Sequence, residues 1–284
     1  MSNVYVSTSC LGHKLSLNDI LEIYWQNGFH GVELGFIQGR VEDLDILKAY
    51  RFNYLIHNYF PPEDPPFLLN IASSSLDELE RSMSFVKKCL VNCSKYEIPM
   101  YSLHAGFRST GIPTETGIIF NDMITPYEKA FNTMVESLTK INKWADEYGI
   151  TVLIENNVSS SEASGFVGEM VLLQTPEEFH KLFDIIDLDK IKILLDLGHL
   201  KVASTWLKFD LEEAVTSLKH NTSMLHLHDN DGKFDQHHSI SKSSVLLPLI
   251  KKYFDMHIPL VIEPHCNSIE EVCMNLKTVV DHLQ

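Results

Sequence analysis

Eight short apolar segments, each followed by a segment of helical periodicity, recur along the whole chain. Short apolar runs between turn residues are typical of buried strands, and apolar residues three and four apart indicate the helices that cover them. Strict alternation of strand and helix predicts a parallel sheet, and eight such units in 284 residues predict closure into a (β/α)8 barrel. We therefore expect a single α/β domain over residues 1–284, with its site at the carboxyl ends of the strands.

The boundaries of these units follow from local signals. The predicted strands are NVYVSTS, GVELG, NYLIH, PMYSLH, ITVLIE, IKILLD, the stretch that begins at Met224, and PLVIE. A capping residue followed by proline, or by an acid three positions later, predicts a helix start. Such starts are predicted at Ser75 with Glu78, Thr125 with Pro126 and Glu128, Thr175 with Pro176 and Glu178, and Ser268 with Glu271. The proline-rich loop after the third strand is expected to overhang the site.

Composition and charge narrow the functional classes. The chain is 44% hydrophobic and 21% charged, as expected of a globular protein with a core, and its formal net charge is -15. That charge disfavours nonspecific attraction to nucleic acid or to an anionic membrane. The five cysteines form no CxxC pair, and no apolar stretch approaches the length of a membrane span or a leader peptide. We therefore expect a reduced, cytoplasmic protein without a membrane partner.

The segment from Met224 to His238, MLHLHDNDGKFDQHH, carries the densest chemistry. Side chains alternate along a strand, so Leu225 and Leu227 can pack on one face while His226 and His228 point to the other. Aspartates and histidines then crowd the following loop. Imidazole and carboxylate together suit zinc, manganese or iron, although a solvated acidic loop would have the same composition.

Other predicted strands also end in ligand-type residues, which favours a shared site. Glu155 and Glu263 each end an apolar strand, where an unpaired buried carboxylate would be strongly unfavourable. Because strand ends converge at the rim of a barrel, residues from distant segments can meet there. The candidate metal ligands are His57, His104, Glu155, Asp196, His199, His226, Asp235, His237 and Glu263.

Four motifs carry a resemblance that covers nearly the whole chain. ENN after the fifth strand, DLGH after the sixth, HLHDNDGKFDQHH at the seventh and IEPH at the eighth resemble the xylose-isomerase-like barrel superfamily. That superfamily includes sugar and sugar-phosphate isomerases and epimerases, and also type IV apurinic/apyrimidinic endonucleases. The resemblance implies a TIM barrel that holds one to three divalent ions, zinc or manganese.

The isomerase and epimerase branch implies one ion held by residues that match Glu155, Asp196, His226 and Glu263. By this resemblance the ion would chelate adjacent oxygens of a keto sugar or sugar phosphate, and the two glutamates would move protons on carbon. His199 would bind or orient the substrate. The resemblance thus gives Glu155, Glu263 and His199 as the candidate catalytic residues.

The endonuclease branch implies three zinc ions and an activity on abasic DNA, and all nine matching positions are filled. By this resemblance the first zinc would take His57, His104 and Glu155, the second would take Glu155, Asp196, His226 and Glu263, and the third would take His199, Asp235 and His237. A metal-bound water would then attack the phosphodiester.

The chain departs from the endonuclease pattern at several positions. DLGH stands where that branch usually has DTCH, which places Gly198 at the position of the cysteine. HLHD stands where it has HLND, which places His228 at the position of the asparagine. The loop after the third strand also carries Glu63 and Asp64, which would repel phosphate. These features favour the isomerase or epimerase hypothesis, with abasic-site cleavage as the alternative and a non-catalytic sugar- or metal-binding barrel as a third possibility.

Three further residues are candidate substrate contacts. Glu33 ends the second predicted strand and could bind substrate or pair with a neighbouring cation. Lys233 could hold an anionic group of the substrate or balance the acidic loop, and His228 could contact substrate or orient a metal ligand. A homo-oligomer is expected from the sugar branch of the superfamily, whereas the sugar itself and the metal are left open.

Overall fold

The strands close into a barrel because each apolar strand pairs in parallel with its neighbours. The structure is a computed structural model that describes residues 3–114, 117–121, 123–158, 170–186, 189–255 and 257–284. Within this described part, eight strands close the barrel, and their bounds are β1 (Val4–Ser7), β2 (Gly31–Leu34), β3 (Asn53–His57), β4 (Met100–His104), β7 (Thr151–Glu155), β8 (Ile191–Asp196), β9 (Thr222–Leu227) and β10 (Leu260–Ile262). Two further strands, β5 (Gly111–Thr114) and β6 (Gly117–Phe120), form a separate antiparallel pair. The predicted barrel is confirmed.

Helices follow the barrel strands and cover their outer faces. Their bounds are α1 (Ser9–Gly12), α2 (Leu17–Gln26), a 3-10 helix (Leu44–Ala49), α3 (Leu76–Lys95), α4 (Tyr127–Tyr148), α5 (Pro176–Ile185), α6 (Leu197–Leu207), α7 (Leu211–Leu218), α8 (Leu246–Tyr253) and α9 (Ile269–Leu283). Their apolar faces pack on the strands in one large core. Among the described residues, no helix combines the length and the apolar character that crossing a membrane would require.

The observed helix starts agree only in part with the predicted capping residues. At α5 the prediction is confirmed, since the Glu178 backbone N–H donates to Thr175 Oγ1 and the Thr175 N–H donates to the Glu178 carboxylate. At α3 the predicted capping box is wrong, because Glu78 accepts from the Ser73 hydroxyl and Ser75 makes no side-chain cap. At α4 the helix begins one residue later than predicted, at Tyr127.

Two elements of the structure were not predicted from the sequence. The β5–β6 hairpin occupies the connection after β4, and Ile112 pairs with Ile119 across it. Helix α6 begins immediately after β8, with the Asp196 carboxylate accepting the His199 N–H as its cap. The second difference matters most for the site, because it fixes two candidate ligands in one helical turn.

The interior of the barrel contains a layer of apolar side chains below the strand ends. Strand side chains alternate between the barrel interior and the helices, so every second residue points inward. The inward layer is fully apolar or aromatic, and its members are Tyr5, Leu55, Leu153, Leu194, Met224 and Val261, with Met100 packed against them. This packed floor leaves the strand ends above it as the place where a site can form.

Candidate metal centre

The parallel register brings the strand-end residues of neighbouring strands to one level. His104 pairs with Glu155 across β4 and β7, and Asp196 pairs with His226 across β8 and β9. Glu263 follows β10 directly and donates its backbone N–H to the carbonyl of Leu227. The barrel therefore gathers side chains that are up to about two hundred positions apart in the sequence into one cluster.

The first turn of α6 holds Asp196 and His199 in place. The Asp196 carboxylate accepts the His199 backbone N–H at 2.6 Å, which satisfies a donor at the helix start. The Asn156 side chain binds the backbone of Asp196 twice. Its amide oxygen accepts the Asp196 N–H at 2.7 Å, and its amide nitrogen donates to the Asp196 carbonyl at 3.0 Å. The spacing Asp-x-x-His is thus also a helix-cap pattern, and this pattern could have predicted the start of α6.

Four groups of ligand-type side chains result in the described part of the chain. In each group the potential ligand atoms lie within 4.8 Å of one another. The first group is His57, His104 and Glu155; the second group is Glu155, Asp196, His226 and Glu263; the third group is His199, His228, Asp235 and His237; the fourth group is Glu33, His57 and His226. All nine residues expected to bind metal fall in these groups, and His228 and Glu33 join them.

The second group is the most deeply buried of the four. His226 is fully buried, and its Nδ1 lies 3.2 Å from Glu263 Oε1, 3.7 Å from Glu155 Oε1 and 4.0 Å from Asp196 Oδ2. Three carboxylates surrounding one imidazole nitrogen leave an excess of buried negative charge. Such an arrangement is costly in the absence of a cation.

The first group shares Glu155 with the second. Glu155 Oε2 lies 3.5 Å from His57 Nε2 and 3.3 Å from His104 Nδ1, while its other oxygen faces the second group. Burial lowers the pKa of His104, and neighbouring His199 lowers it further, to about 4. A neutral imidazole is the form that binds a metal ion.

Burial and the neighbouring histidines shift the pKa values of the carboxylates in opposite directions. Burial raises the pKa of Glu155 to about 8, although His199 and His226 act in the opposite direction. Burial also raises the pKa of Asp235, but the facing His199 and His237 hold it well below its usual range. Carboxylates packed this closely compete for few positive partners, and a bound cation would remove that competition.

The donor atoms of the cluster fit a divalent metal. In the described part of the chain, several buried atoms lack a hydrogen bond, namely His104 Nδ1, Glu155 Oε2, Asp196 Oδ2, His226 Nδ1, Asp235 Oδ1 and both ring nitrogens of His228. Buried polar atoms normally have partners, so a cluster of exceptions calls for an ion. Mixed imidazole and carboxylate donors suit zinc, manganese or iron.

Glu33 lies beneath this cluster and contacts one of its ligands. It is fully buried, and its Oε2 lies 2.7 Å from His226 Nε2. A carboxylate that accepts from one imidazole nitrogen leaves the other nitrogen free for a metal. The partner of Glu33 is therefore the imidazole of His226, whose neutral form is the one that binds a metal, so both roles expected of Glu33 from the sequence stay predictions.

A cavity of about 430 Å³ opens above the groups. The ligand residues His57, His104, Glu155, His199, Asp235, His237 and Glu263 line its floor. Its mouth includes Asn58 and Tyr59 from the proline-rich loop, as expected, together with Phe36, His13 and His265. The last three were missed as cavity residues, and only their positions shortly after predicted strands could have indicated them.

None of the three expected substrate contacts lines the cavity. Glu33 and His228 are fully buried below it. Lys233 lies on the exposed loop, where its carbonyl accepts the indole N–H of Trp206. The structure thus places Glu33 and His228 among the metal-ligand groups and Lys233 outside the cavity.

Comparison with known proteins identifies the family. The family model described as xylose isomerase-like TIM barrel matches residues 21–252. The chain belongs to this family. A relative in Methanocaldococcus jannaschii, the uncharacterized protein MJ1614, is 28% identical over 286 residues and covers 97% of this chain and 98% of its own.

Three solved structures illustrate the fold that this chain shares. A D-tagatose 3-epimerase-like protein superposes with a TM-score of 0.74 at 19% identity, covering 99% of this chain and 97% of its own. A zinc-bound IolI protein superposes with a TM-score of 0.70 at 12% identity, covering 99% of this chain and 98% of its own. An AP endonuclease of family 2 from Brucella melitensis gives 0.67 at 16% identity, covering 96% of each.

Proposed function

We propose that this protein is a divalent-metal-dependent isomerase or epimerase that moves a proton on the carbon skeleton of a keto sugar. The observation that carries the proposal is the second group, in which the two candidate proton-transfer carboxylates, Glu155 and Glu263, face one imidazole at the floor of a cavity. Similarity of fold to a D-tagatose 3-epimerase-like protein supports the same class of substrate.

Glu155, Asp196, His226 and Glu263 are the residues that would hold the ion. When bound, a divalent ion at this position would supply a Lewis acid for adjacent hydroxyl and carbonyl oxygens of a sugar. The donor chemistry fits, because Asp196 and His226 each keep one buried atom without a hydrogen bond in the described part of the chain.

Glu155 and Glu263 are the residues that we assign to proton transfer. They come from β7 and from the end of β10, with β8 and β9 between them, so they approach the cavity floor from separated positions on the barrel. One carboxylate can take a proton from carbon while the other returns one, as general acid–base catalysis requires. Both line the cavity, so both can touch a substrate.

His199 has less freedom to contact a sugar than the sequence suggested. Its Nδ1 lies 3.0 Å from the Asn156 carbonyl, to which it donates, and its Nε2 lies 3.3 Å from Asp235 Oδ2. Both nitrogens therefore already have neighbours. We assign His199 to the third ligand group rather than to substrate binding.

Solvent isotope exchange tests the proposal most directly. Zinc- or manganese-loaded protein would be incubated in D2O with a panel of ketoses and ketose phosphates, and carbon-bound deuterium would be measured by NMR. We expect metal-dependent exchange next to the carbonyl, lost on chelation and reduced about 10²- to 10⁴-fold by Glu155→Gln or Glu263→Gln. Glu136→Gln, on the exposed face of α4, is the matched control and should retain full activity. Absence of exchange with every ketose of the panel would contradict the proposal.

A second candidate function, cleavage of abasic DNA, has one observation in its favour. The first and third groups provide more ligands than a single ion needs, and clustered ions are common in phosphodiester hydrolysis. Against it, no lysine or arginine lines the cavity in the described part of the chain, although duplex binding relies on phosphate contacts by cationic side chains. Metal-dependent nicking of an oligonucleotide with one abasic site, lost in Glu263→Gln, would replace our proposal with this one.

A further inference from the structure

His228 is a buried imidazole without a hydrogen bond. It is fully buried, and neither ring nitrogen has a hydrogen-bond partner in the described part of the protein. The nearest carboxylate oxygens to its Nε2 are Asp196 Oδ1 at 3.3 Å and Asp235 Oδ1 at 3.5 Å. A buried, unsatisfied imidazole among carboxylates requires an explanation.

The room for this ring exists because residue 198 is a glycine. A Cβ at Gly198 would lie 2.3 Å from Cε1 and 2.4 Å from Nε2 of His228, so any side chain there would displace the imidazole. The two departures from the endonuclease pattern, glycine for cysteine at 198 and histidine for asparagine at 228, are therefore a single structural change. Loss of one side chain makes space for a larger, metal-binding one.

His228 lies beside the third group, and the potential ligand atoms of His199, His228, Asp235 and His237 all lie within 4.8 Å of one another. The rings of His228 and His237 are almost parallel, with a centroid distance of 3.8 Å and an interplanar angle of 13°, so one ring would turn for both to direct a nitrogen at one ion. Asp235 Oδ2 lies 3.3 Å from His199 Nε2 and 3.4 Å from His237 Nε2, while Asp235 Oδ1 lies 3.5 Å from His228 Nε2. Two ligands of a tetrahedral zinc ion are separated by about 3.4 Å, given metal–ligand distances of about 2.0–2.2 Å.

We propose that His199, His228, Asp235 and His237 form a closed, four-ligand site for a divalent transition metal such as zinc. Zinc sites with four protein ligands are structural, because they keep no position for substrate or water. The ligands come from the end of β9, from the first turn of α6 and from the loop after β9, so the ion would tie that loop to α6. This inference does not depend on which reaction the protein catalyses.

The competing interpretation makes His228 a residue that orients Asp196, since the two side chains are also close. The two interpretations differ in metal content. A fourth ligand contributes to holding an ion in the third group, whereas an orienting residue leaves the number of bound ions unchanged.

The test is a double-mutant cycle on His228 and Gly198 with metal content as the readout. Wild type, His228→Asn, Gly198→Ala and the double variant would be loaded with zinc chloride, dialysed, and analysed for zinc per protomer. Cobalt chloride loading would report tetrahedral coordination through visible absorption. His238→Asn, an exposed histidine of the same loop, is the matched control.

We expect each single variant to lose one zinc per protomer and the corresponding tetrahedral cobalt absorption. Gly198→Ala should have no further effect once His228 is asparagine, because the clash with the ring is gone. Gly198→Ala alters no ligand atom, so it keeps the test valid if His228→Asn folds poorly. Retention of wild-type zinc content and cobalt spectrum by either folded single variant would overturn the proposal, as would a wild-type protein that binds no more than one ion.

Discussion

The barrel interior contains two layers that lie two residues apart along the same strands and differ completely in chemistry. The lower layer is apolar and consists of Tyr5, Leu55, Leu153, Leu194, Met224 and Val261. The upper layer consists of the residues two positions later, Ser7, His57, Glu155, Asp196, His226 and Glu263. Two residues of strand correspond to a rise of about 6.6 Å, so the transition from packed core to ionic cluster occurs within one side-chain layer.

The contrast shows how one chain separates stability from function. The lower layer removes apolar surface from water and supports the fold. The upper layer buries carboxylates and imidazoles whose desolvation opposes folding unless ions compensate for it. Substitutions in the upper layer should therefore reduce activity and metal binding, whereas substitutions in the lower layer should reduce stability.

The largest expected effect comes from the upper layer. Glu155→Gln should lower turnover by about 10²- to 10⁴-fold and weaken metal binding, because it removes a proton-transfer group that is also a ligand. His57 belongs to the first and fourth groups but not to the second, so His57→Ala should leave much of the activity. Steady-state kinetics on metal-loaded protein measures both, and equal losses would count against a mechanism that needs only the second group.

A substitution in the lower layer should do the reverse. Leu194→Ala, at a fully buried position, should destabilise the protein by about 2–5 kcal/mol through lost burial and a cavity. Zinc content and turnover per folded molecule should not change. Urea unfolding followed by circular dichroism gives the stability, and Leu76→Ala at a residue that is 73% exposed is the control. A matching loss of bound metal would mean that the layers are not separable.

Metal removal should act on the ligand groups and leave the packing of the lower layer unchanged. A ligand present at about 100 to 1,000 times its dissociation constant stabilises a fold by about 3–4 kcal/mol, so chelation should lower the unfolding temperature of wild type. Glu155→Leu removes a buried carboxyl group whose desolvation is unfavourable, and its metal-free form should be at least as stable as metal-free wild type. Calorimetry with and without chelator compares them. A less stable metal-free Glu155→Leu would show that this carboxylate is structurally required.

The strand-end residues could be predicted from sequence because the barrel repeats a simple rule. Apolar strands that end in Glu155 or Asp196 can be recognised from pattern alone, and parallel pairing then forces those ends together. The position of His228 could not be predicted in this way. Its environment depends on the missing side chain of Gly198 and on a helix that begins immediately after β8. Neither feature appears in the sequence as a periodic pattern of hydrophobic residues.

The smallest expected effect concerns Glu33, which lies at the boundary between the layers. For His226 to offer Nδ1 to a metal, its Nε2–H must donate to Glu33, whose Oε2 lies at 2.7 Å. Burial raises the pKa of Glu33, while His226 opposes that shift, so the charge on Glu33 depends on this contact. Glu33→Gln preserves an acceptor but removes the charge, and metal affinity should fall by about 10- to 100-fold. Competition with a zinc chelator measures the affinity, with Glu22→Gln on the exposed side of α2 as the control. Unchanged affinity would mean that Glu33 is already neutral beside His226, and the fourth ligand group would then carry no negative charge.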